Sequence, residues 1–428
     1  MTFLEVVTTI EKIHQCKLEN TNLGYYADGD FNTDCTNLKG GPDLKYCEDA
    51  AFWDRLDAQG NLLSHALVLS CDANRKNWNT VMGPLNDPEP MGSLWLYEPN
   101  EENLKRAGRN AMTDPDELQR VELKGYPTNH DFHPLGIEIY PSYAGNISNV
   151  YVVNHARART VIEQFTLNPS SPTVANYVRT VASPYFHSAN ALALTSPDSF
   201  YVTNDHLFTR RLPYIGHILP ILESLFAFPL GWVSHVTLNS ATSSGPPIRA
   251  HQFSALLIPF PNGIAVSHDG TQVALASTTL GKILFYERNP KTNDLTRIIE
   301  SVPVPFTPDN IRYTHDGSAL IVTGHPHFPS LAAVAGRKAL TAPSWVVSIN
   351  AKSSKEDIQP KISFDQKTPI SAMGKVPPVA GREVTTLFQS DGSGFSSSST
   401  GLKDPKSGAL YITGLYAEDG VIVCRPPI

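Results

Sequence analysis

This 428-residue chain has no block of basic residues, no uninterrupted apolar run of membrane length and only five cysteines. Its 34 lysines and arginines are outweighed by 41 acidic residues, a net charge of -7. That balance gives no support to nucleic-acid binding and mildly favours a cation. The most apolar and aromatic segment, residues 210–233, is interrupted by Pro213, Pro220 and Pro229 and carries His217 and Glu223. A spanning helix needs about 20 predominantly apolar residues, so a transmembrane helix is not expected. The chain opens Met1-Thr-Phe-Leu-Glu-Val-Val, without the basic region and long apolar stretch of a secretory leader. Residues 2–18 read instead as an amphipathic helix, which leaves a truncated or processed start as the expectation.

Proline and glycine are plentiful, at 34 and 28 residues, as suits a loop-rich all-β fold. The organising pattern is a repeat. Gly263-Ile-Ala-Val-Ser-His-Asp-Gly270 leads into a second apolar strand at 272–277. Ile311-Arg-Tyr-Thr-His-Asp-Gly317 leads likewise into 319–323. Each reads as a β-hairpin with a tight turn. Looser copies span 52–70, 136–154, 192–204 and 402–413, making six hairpins in all. One propeller blade needs roughly 40–50 residues, so the spacing predicts a six-bladed β-propeller, a single domain over 35–428 preceded by a helical segment at 1–34. A β-sandwich is the alternative, but it leaves a second regularity unexplained. A polar residue stands at the head of several units: Asn190, Asn262, Asp309-Asn310 and, more loosely, Glu48-Asp49. Oxygen-bearing side chains at one point of a repeated unit can converge on one axis and bind a hard metal ion. Those positions supply neither cysteine nor clustered histidine, which argues against zinc.

Two stretches depart from the repeat. Residues 208–235 read as a helical lid over one propeller face, or as a monotopic membrane contact with Arg210 and Arg211 near headgroups and Trp232 in the interface. Residues 332–375 read as a surface insertion with a solvated, serine- and lysine-rich middle. A bridge from Cys35 to Cys424 would close the ring within one blade. Cys47 and Cys71 flank the first hairpin as a second candidate pair, and Cys16 is left over. Reduced thiols in a cytosolic protein are the alternative. Asn146-Ile147-Ser148 is a glycosylation sequon on a predicted turn, which favours a secretory or extracellular setting.

Eight motifs, in order, resemble the serum paraoxonase/arylesterase family: Glu48-Asp49, Phe132-His-Pro-Leu-Gly-Ile137, Val153-Asn-His155, Ser188-Ala-Asn190, Phe200-Tyr-Val-Thr-Asn-Asp-His206, Phe260-Pro-Asn-Gly-Ile264, Asp309-Asn-Ile311 and Gly324-His-Pro326. The resemblance implies a six-bladed propeller with two calcium ions in its tunnel, a cysteine clasp, hydrolysis of lactones and aryl esters, and lipid-associated helices. By position, it implies a catalytic calcium held by Glu48, Asn190, Asn262, Asp309 and Asn310. Calcium takes six to eight oxygens and accepts amides beside carboxylates, so the donor types suit it. The second ion would rest on Asp49 and the backbone carbonyl of Ile137, but the family's further carboxylate is Ala191 here, which leaves that ion doubtful.

The family's first catalytic histidine falls on Leu135, which carries no proton, and the second falls on His155. His133 lies two residues before Leu135 and so faces the same side of a strand. His133, His155 or a calcium-bound water alone are the candidates for activating a nucleophile. Leu135, Phe260 and His325 are expected to line the substrate pocket, and Asp205 and His206 to form a structural pair. Two readings follow: a calcium-dependent lactone or aryl-ester hydrolase, or a non-hydrolytic, strictosidine-synthase-like or binding propeller.

Overall fold

The computed structural model describes residues 35–99, 118–352, 357–358 and 379–425. The helix expected at residues 2–18 and Cys16 lie outside them, as does most of 353–375. The described chain forms six blades, numbered here by their innermost strands: Cys47–Leu56, Pro134–Ile139, Ala189–Ser196, Pro261–Val266, Thr307–Tyr313 and Ser398–Lys403. Each inner strand pairs antiparallel with the second strand of its predicted hairpin, and further strands extend the blade outward. Neighbouring inner strands pack side by side around the ring, blade 6 meeting blade 1.

The core is divided as the architecture requires. One apolar cluster fills each interface between neighbouring blades. Trp345, for example, is fully buried between blades 4 and 5 among Phe285, Phe306 and Val322. This follows from strands with both faces covered, which read as continuous apolar runs such as Val150–Val153.

Ring closure is mixed-terminal. Cys35–Asn37 is the outermost strand of blade 6 and pairs with Val421–Cys424, so the start of the described chain completes a blade built from its end. Cys35 lies opposite Cys424 in that register and the two form a disulfide. Cys47 and Cys71 form a second, across the inner hairpin of blade 1.

Two predicted segments are narrower than expected. Within 208–235 the helical part is a 3-10 turn, Ile215–His217, and one short helix, α1, Leu219–Leu225, with Pro220 in its first turn. Gly231–Leu238 is already the third strand of blade 3. Within 332–375, Ser344–Asn350 is the buried third strand of blade 5. Its run Trp-Val-Val-Ser-Ile is rich in β-formers, a signal masked by polar neighbours. A helix, α2, Phe328–Ala335, precedes it. Arg211 is turned inward, donating to Thr160 Oγ1 at 2.9 Å and to the carbonyl of Ala156, so it does not stand ready for headgroups. Trp232 packs edge-on against Phe253. No helix among the described residues is long and apolar enough to cross a membrane.

The Cys35–Cys424 bridge spans 389 residues. Removing it by Cys35→Ser should lower stability by about 3–5 kcal/mol, read as an earlier urea midpoint than the parent under non-reducing conditions. An unchanged midpoint would show that strand pairing alone closes the ring.

Candidate active site

The polar residues that head the repeats, apart from Asp49, are bulge residues. The register of each inner strand slips at the same point: between Cys47 and Asp49, Pro134 and Ile137, Ala189 and Leu192, Pro261 and Ile264, Pro308 and Ile311, and Ser398 and Thr400. A bulge leaves residues unpaired and re-aims their side chains. The residues so released are Glu48, Leu135-Gly136, Asn190-Ala191, Asn262-Gly263, Asp309-Asn310 and Ser399. Glycine is required at two of them. A Cβ on Gly263 would lie 2.6 Å from both the Asp309 carbonyl and Asn310 Cα, and one on Gly136 would strike the Asn190 carbonyl.

Glu48, Leu135, Asn190, Asn262 and Asp309 border one cavity of about 510 Å³, as do His133, His155, Phe260 and His325. The cavity also meets a second recurring position that the sequence reading passed over. At the end of the second strand of successive blades stand Asp72, His155, Asp205, Thr278, His325 and Leu415, and all six border it. Several of these orient the bulge residues. Asn190 Nδ2 donates to Asp205 Oδ2 at 3.0 Å, and Asn262 Nδ2 to Thr278 Oγ1 at 3.2 Å. His325 Nε2 lies 2.9 Å from Asp309 Oδ2. Asn310 Nδ2 donates to Glu48 Oε1 at 2.8 Å and to Thr400 Oγ1 at 3.0 Å.

With the amide nitrogens so occupied, the amide oxygens are left over. Asn190 Oδ1, Asn262 Oδ1 and Glu48 Oε2 are buried and have no hydrogen-bond partner. Burial pushes the Glu48 carboxyl well above the usual range, and nearby Asp49 and Asp309 add to this. Unpaired buried oxygens are costly, each by about 1–3 kcal/mol, unless something outside the chain satisfies them. Among the described residues no three His, Cys, Asp or Glu side chains gather closely enough to hold a metal. A cation here must therefore use amide oxygens beside the carboxylates, the mixture that a hard ion such as calcium accepts. The donor set fits it.

The oxygens expected to hold a second ion are taken. Asp49 Oδ1 accepts from the Ala50 amide and Thr400 Oγ1, and Oδ2 from the Ile137 amide and Arg312 Nη2. Arg312 Nη2 also donates to the Ile137 carbonyl at 2.9 Å. Ala191 is buried in the apolar cluster between blades 3 and 4. These residues do not fit a second calcium.

The two candidate histidines differ. His155 has both ring nitrogens engaged, Nδ1 with Thr80 Oγ1 and Nε2 with the Ala189 carbonyl, each at 2.8 Å. Burial lowers its pKa to about 4. His133 places Nδ1 2.9 Å from Asp72 Oδ2, stacks on Trp78 at 5.5 Å between ring centroids, and leaves Nε2 without a partner. Leu135 and Phe260 contribute apolar wall. Phe260 has a left-handed φ of 42° and meets the His206 ring edge-on at 4.4 Å. Asp205 and His206 are a close pair, with Oδ1 and Nδ1 3.1 Å apart. They also reach the lid, because His206 Nε2 lies 2.7 Å from Ser224 Oγ on α1, while Glu223 accepts from the amides of Leu207 and Phe208. The far rim is formed by Phe328, Leu331 and Ala332 of α2.

The family model described as Arylesterase matches residues 84–365. The chain belongs to this family. Serum paraoxonase/lactonase 3 of Homo sapiens is 25% identical over 250 residues, 56% of this chain and 62% of its own length. Serum paraoxonase/arylesterase 1 of Homo sapiens is 26% identical over 242 residues, 56% of this chain and 59% of its own. The chain thus spans about three fifths of the length of the curated relatives it matches. Among solved structures, a luciferin-regenerating enzyme superposes with a TM-score of 0.44 at 11% identity, over 92% of this chain and 95% of that one. The family match takes in Leu135, His155, Asn190, Asn262, Asp309 and Asn310, while Glu48 and the closing blade lie outside it.

Because Gly263 lets blade 4 approach the Asp309-Asn310 bulge, Gly263→Ala should cost about 1–3 kcal/mol through overpacking. Thermal unfolding is the check, and a variant as stable as the parent would show that the inner strands are not held this tightly.

Proposed function

We propose that this chain is a calcium-dependent hydrolase of lactones and aryl esters, acting in the cavity at the propeller axis. The observation that carries this reading is the set of buried oxygens without partners, Glu48 Oε2, Asn190 Oδ1 and Asn262 Oδ1, around one cavity in a chain of the arylesterase family. Glu48, Asn190, Asn262, Asp309 and Asn310 would hold a single ion. Calcium bound there would supply a Lewis acid for the substrate carbonyl and for the charge that develops on its oxygen.

The remaining chemistry belongs to side chains. His133 is the general base. His133 borders the cavity and its Nε2, which has no partner in the chain, takes a proton from water, while Asp72 fixes the Nδ1–H tautomer and steadies the imidazolium that forms. Stacking on Trp78 holds the ring plane. His155, neutral and bonded at both nitrogens, braces the wall between Thr80 and Ala189. Leu135, Phe260, Ile221 and Leu331 give the cavity an apolar side that suits the hydrocarbon part of an ester and thins out competing water. His133, held by Asp72, supplies from two residues upstream the proton acceptor that Leu135 lacks.

Tyr214, Ile215, Ile218, Ile221 and Phe228 form an exposed apolar row on and beside α1. Ile221 also borders the cavity. This supports peripheral lipid contact by the lid. The two disulfides and the exposed sequon at Asn146 favour a secretory or extracellular setting.

A panel of lactones and aryl esters, assayed with and without a calcium chelator, should show turnover that the chelator abolishes. No turnover on any substrate while calcium remains bound would sink the hydrolase reading in favour of a binding propeller. His133→Gln should lower kcat by about 10²–10⁴-fold with little loss of stability. His155→Gln should chiefly lower the unfolding temperature. The reverse pattern would move the base to His155. In vesicle sedimentation, Tyr214→Ser with Ile218→Ser should release a chain that otherwise pellets with lipid. Equal partitioning of variant and parent would discard the lid contact.

A further inference from the structure

Beside the proposed calcium centre lies a second cluster of buried oxygen donors, and a side chain occupies it. Arg312 extends from the inner strand of blade 5 to the inner strands of blades 1 and 2. Nη2 donates to Asp49 Oδ2 at 2.7 Å and to the Ile137 carbonyl at 2.9 Å, and Nη1 pairs with Glu138 Oε1. The Arg312 side chain is 11% exposed and Asp49 not at all. Two carboxylates and a carbonyl around one point, contributed by different strands, are the surroundings of a bound cation. Here the cation is covalently part of the chain.

We infer that the Arg312 guanidinium replaces a second metal ion at the propeller axis, so that the chain binds one ion and is braced across blades 1, 2 and 5 without the other. The planar fork suits this, because it satisfies a carboxylate, a carbonyl and a second carboxylate at once and is always charged. The brace reaches the neighbouring centre through Thr400. Its Oγ1 donates to Asp49 Oδ1 at 2.9 Å, lies 3.0 Å from the Glu48 carbonyl and accepts from Asn310 Nδ2. Arg312 thereby fixes Asp49, which adjoins Glu48 in the inner strand of blade 1 and is linked to Asn310 through Thr400. Glu138 supplies the second carboxylate beside Asp49.

The inference rests on the proposed calcium centre only for the count of one ion. The test counts calcium on full-length protein, stripped with chelator and dialysed against millimolar calcium, by elemental analysis. The parent should hold one ion per chain and Glu48→Gln none. Two ions on the parent, or an ion that survives Glu48→Gln, would overturn the replacement. A parent with no ion would defeat the calcium centre instead and leave the guanidinium in place. Arg312→Ala frees Asp49, Glu138 and the Ile137 carbonyl. It should take up one calcium more than the parent and unfold several degrees lower in chelator, with part of the loss restored by calcium. A folded Arg312→Ala chain that gains no ion and whose unfolding is indifferent to calcium would equally overturn the inference. If that variant does not fold, the counts on the parent and Glu48→Gln decide alone.

Discussion

Negative charge gathered at the axis of the ring has to be neutralised, and the rest of the structure is arranged around that requirement. Glu48, Asp49, Glu138 and Asp309 come from three strands in three neighbourhoods of the chain, yet they meet within the tunnel because six inner strands bulge at one level. Burial makes each charge expensive unless it is paired. On one side the pairing is internal: Arg312 answers Asp49 and Glu138. On the other it is left open, since Glu48 Oε2 and the amide oxygens of Asn190 and Asn262 have no partner. One half of the axis is thus satisfied from within the chain, and the other half offers buried oxygens that no group of the described chain answers.

The same geometry explains the division of labour around the cavity. Bulge residues at the heads of the inner strands offer oxygens, and residues at the ends of the second strands turn them. Asp205 and Thr278 hold amide nitrogens so that the oxygens face away, and His325 steadies Asp309. Asp72 does for His133 what these do for the bulge residues. Hydrogen-bond partners of this kind set the orientation of the groups they hold. The lid joins the same network through Ser224 and His206, so the helix at the mouth and the amide at the floor share a chain of contacts.

Much of this was legible in the order of residues. A repeat with one hairpin per unit specifies blades, because the strand period and the turn chemistry are local properties. The bridge from Cys35 to Cys424 followed from where a ring must close, and the polar head of each unit stood out because it recurred. The recurrence at the second strand end was equally present in the letters, but Asp72, His155, Asp205, Thr278 and His325 differ in type, so no single residue type marks it. Ser344–Asn350 was hidden for a different reason: a short β-rich run inside a polar stretch looks like loop until its neighbours on both sides are known.

What the sequence determined by itself, then, was the set of strands, the number of blades, the clasp and the kind of atom offered at the axis, since each depends on residues close together or on a period. Tertiary structure alone decided which of those atoms are free. Asp49 and Glu48 are adjacent in the chain and alike in chemistry, yet one is saturated by Arg312, 263 residues away, and the other retains an unpaired oxygen. Likewise His133 and His155 both border the cavity, but only the contacts made by Thr80, Ala189 and Asp72 distinguish a bracing ring from one with a nitrogen to spare. Satisfaction of a buried polar atom is a property of all its neighbours at once, and those neighbours are assembled only when the ring closes.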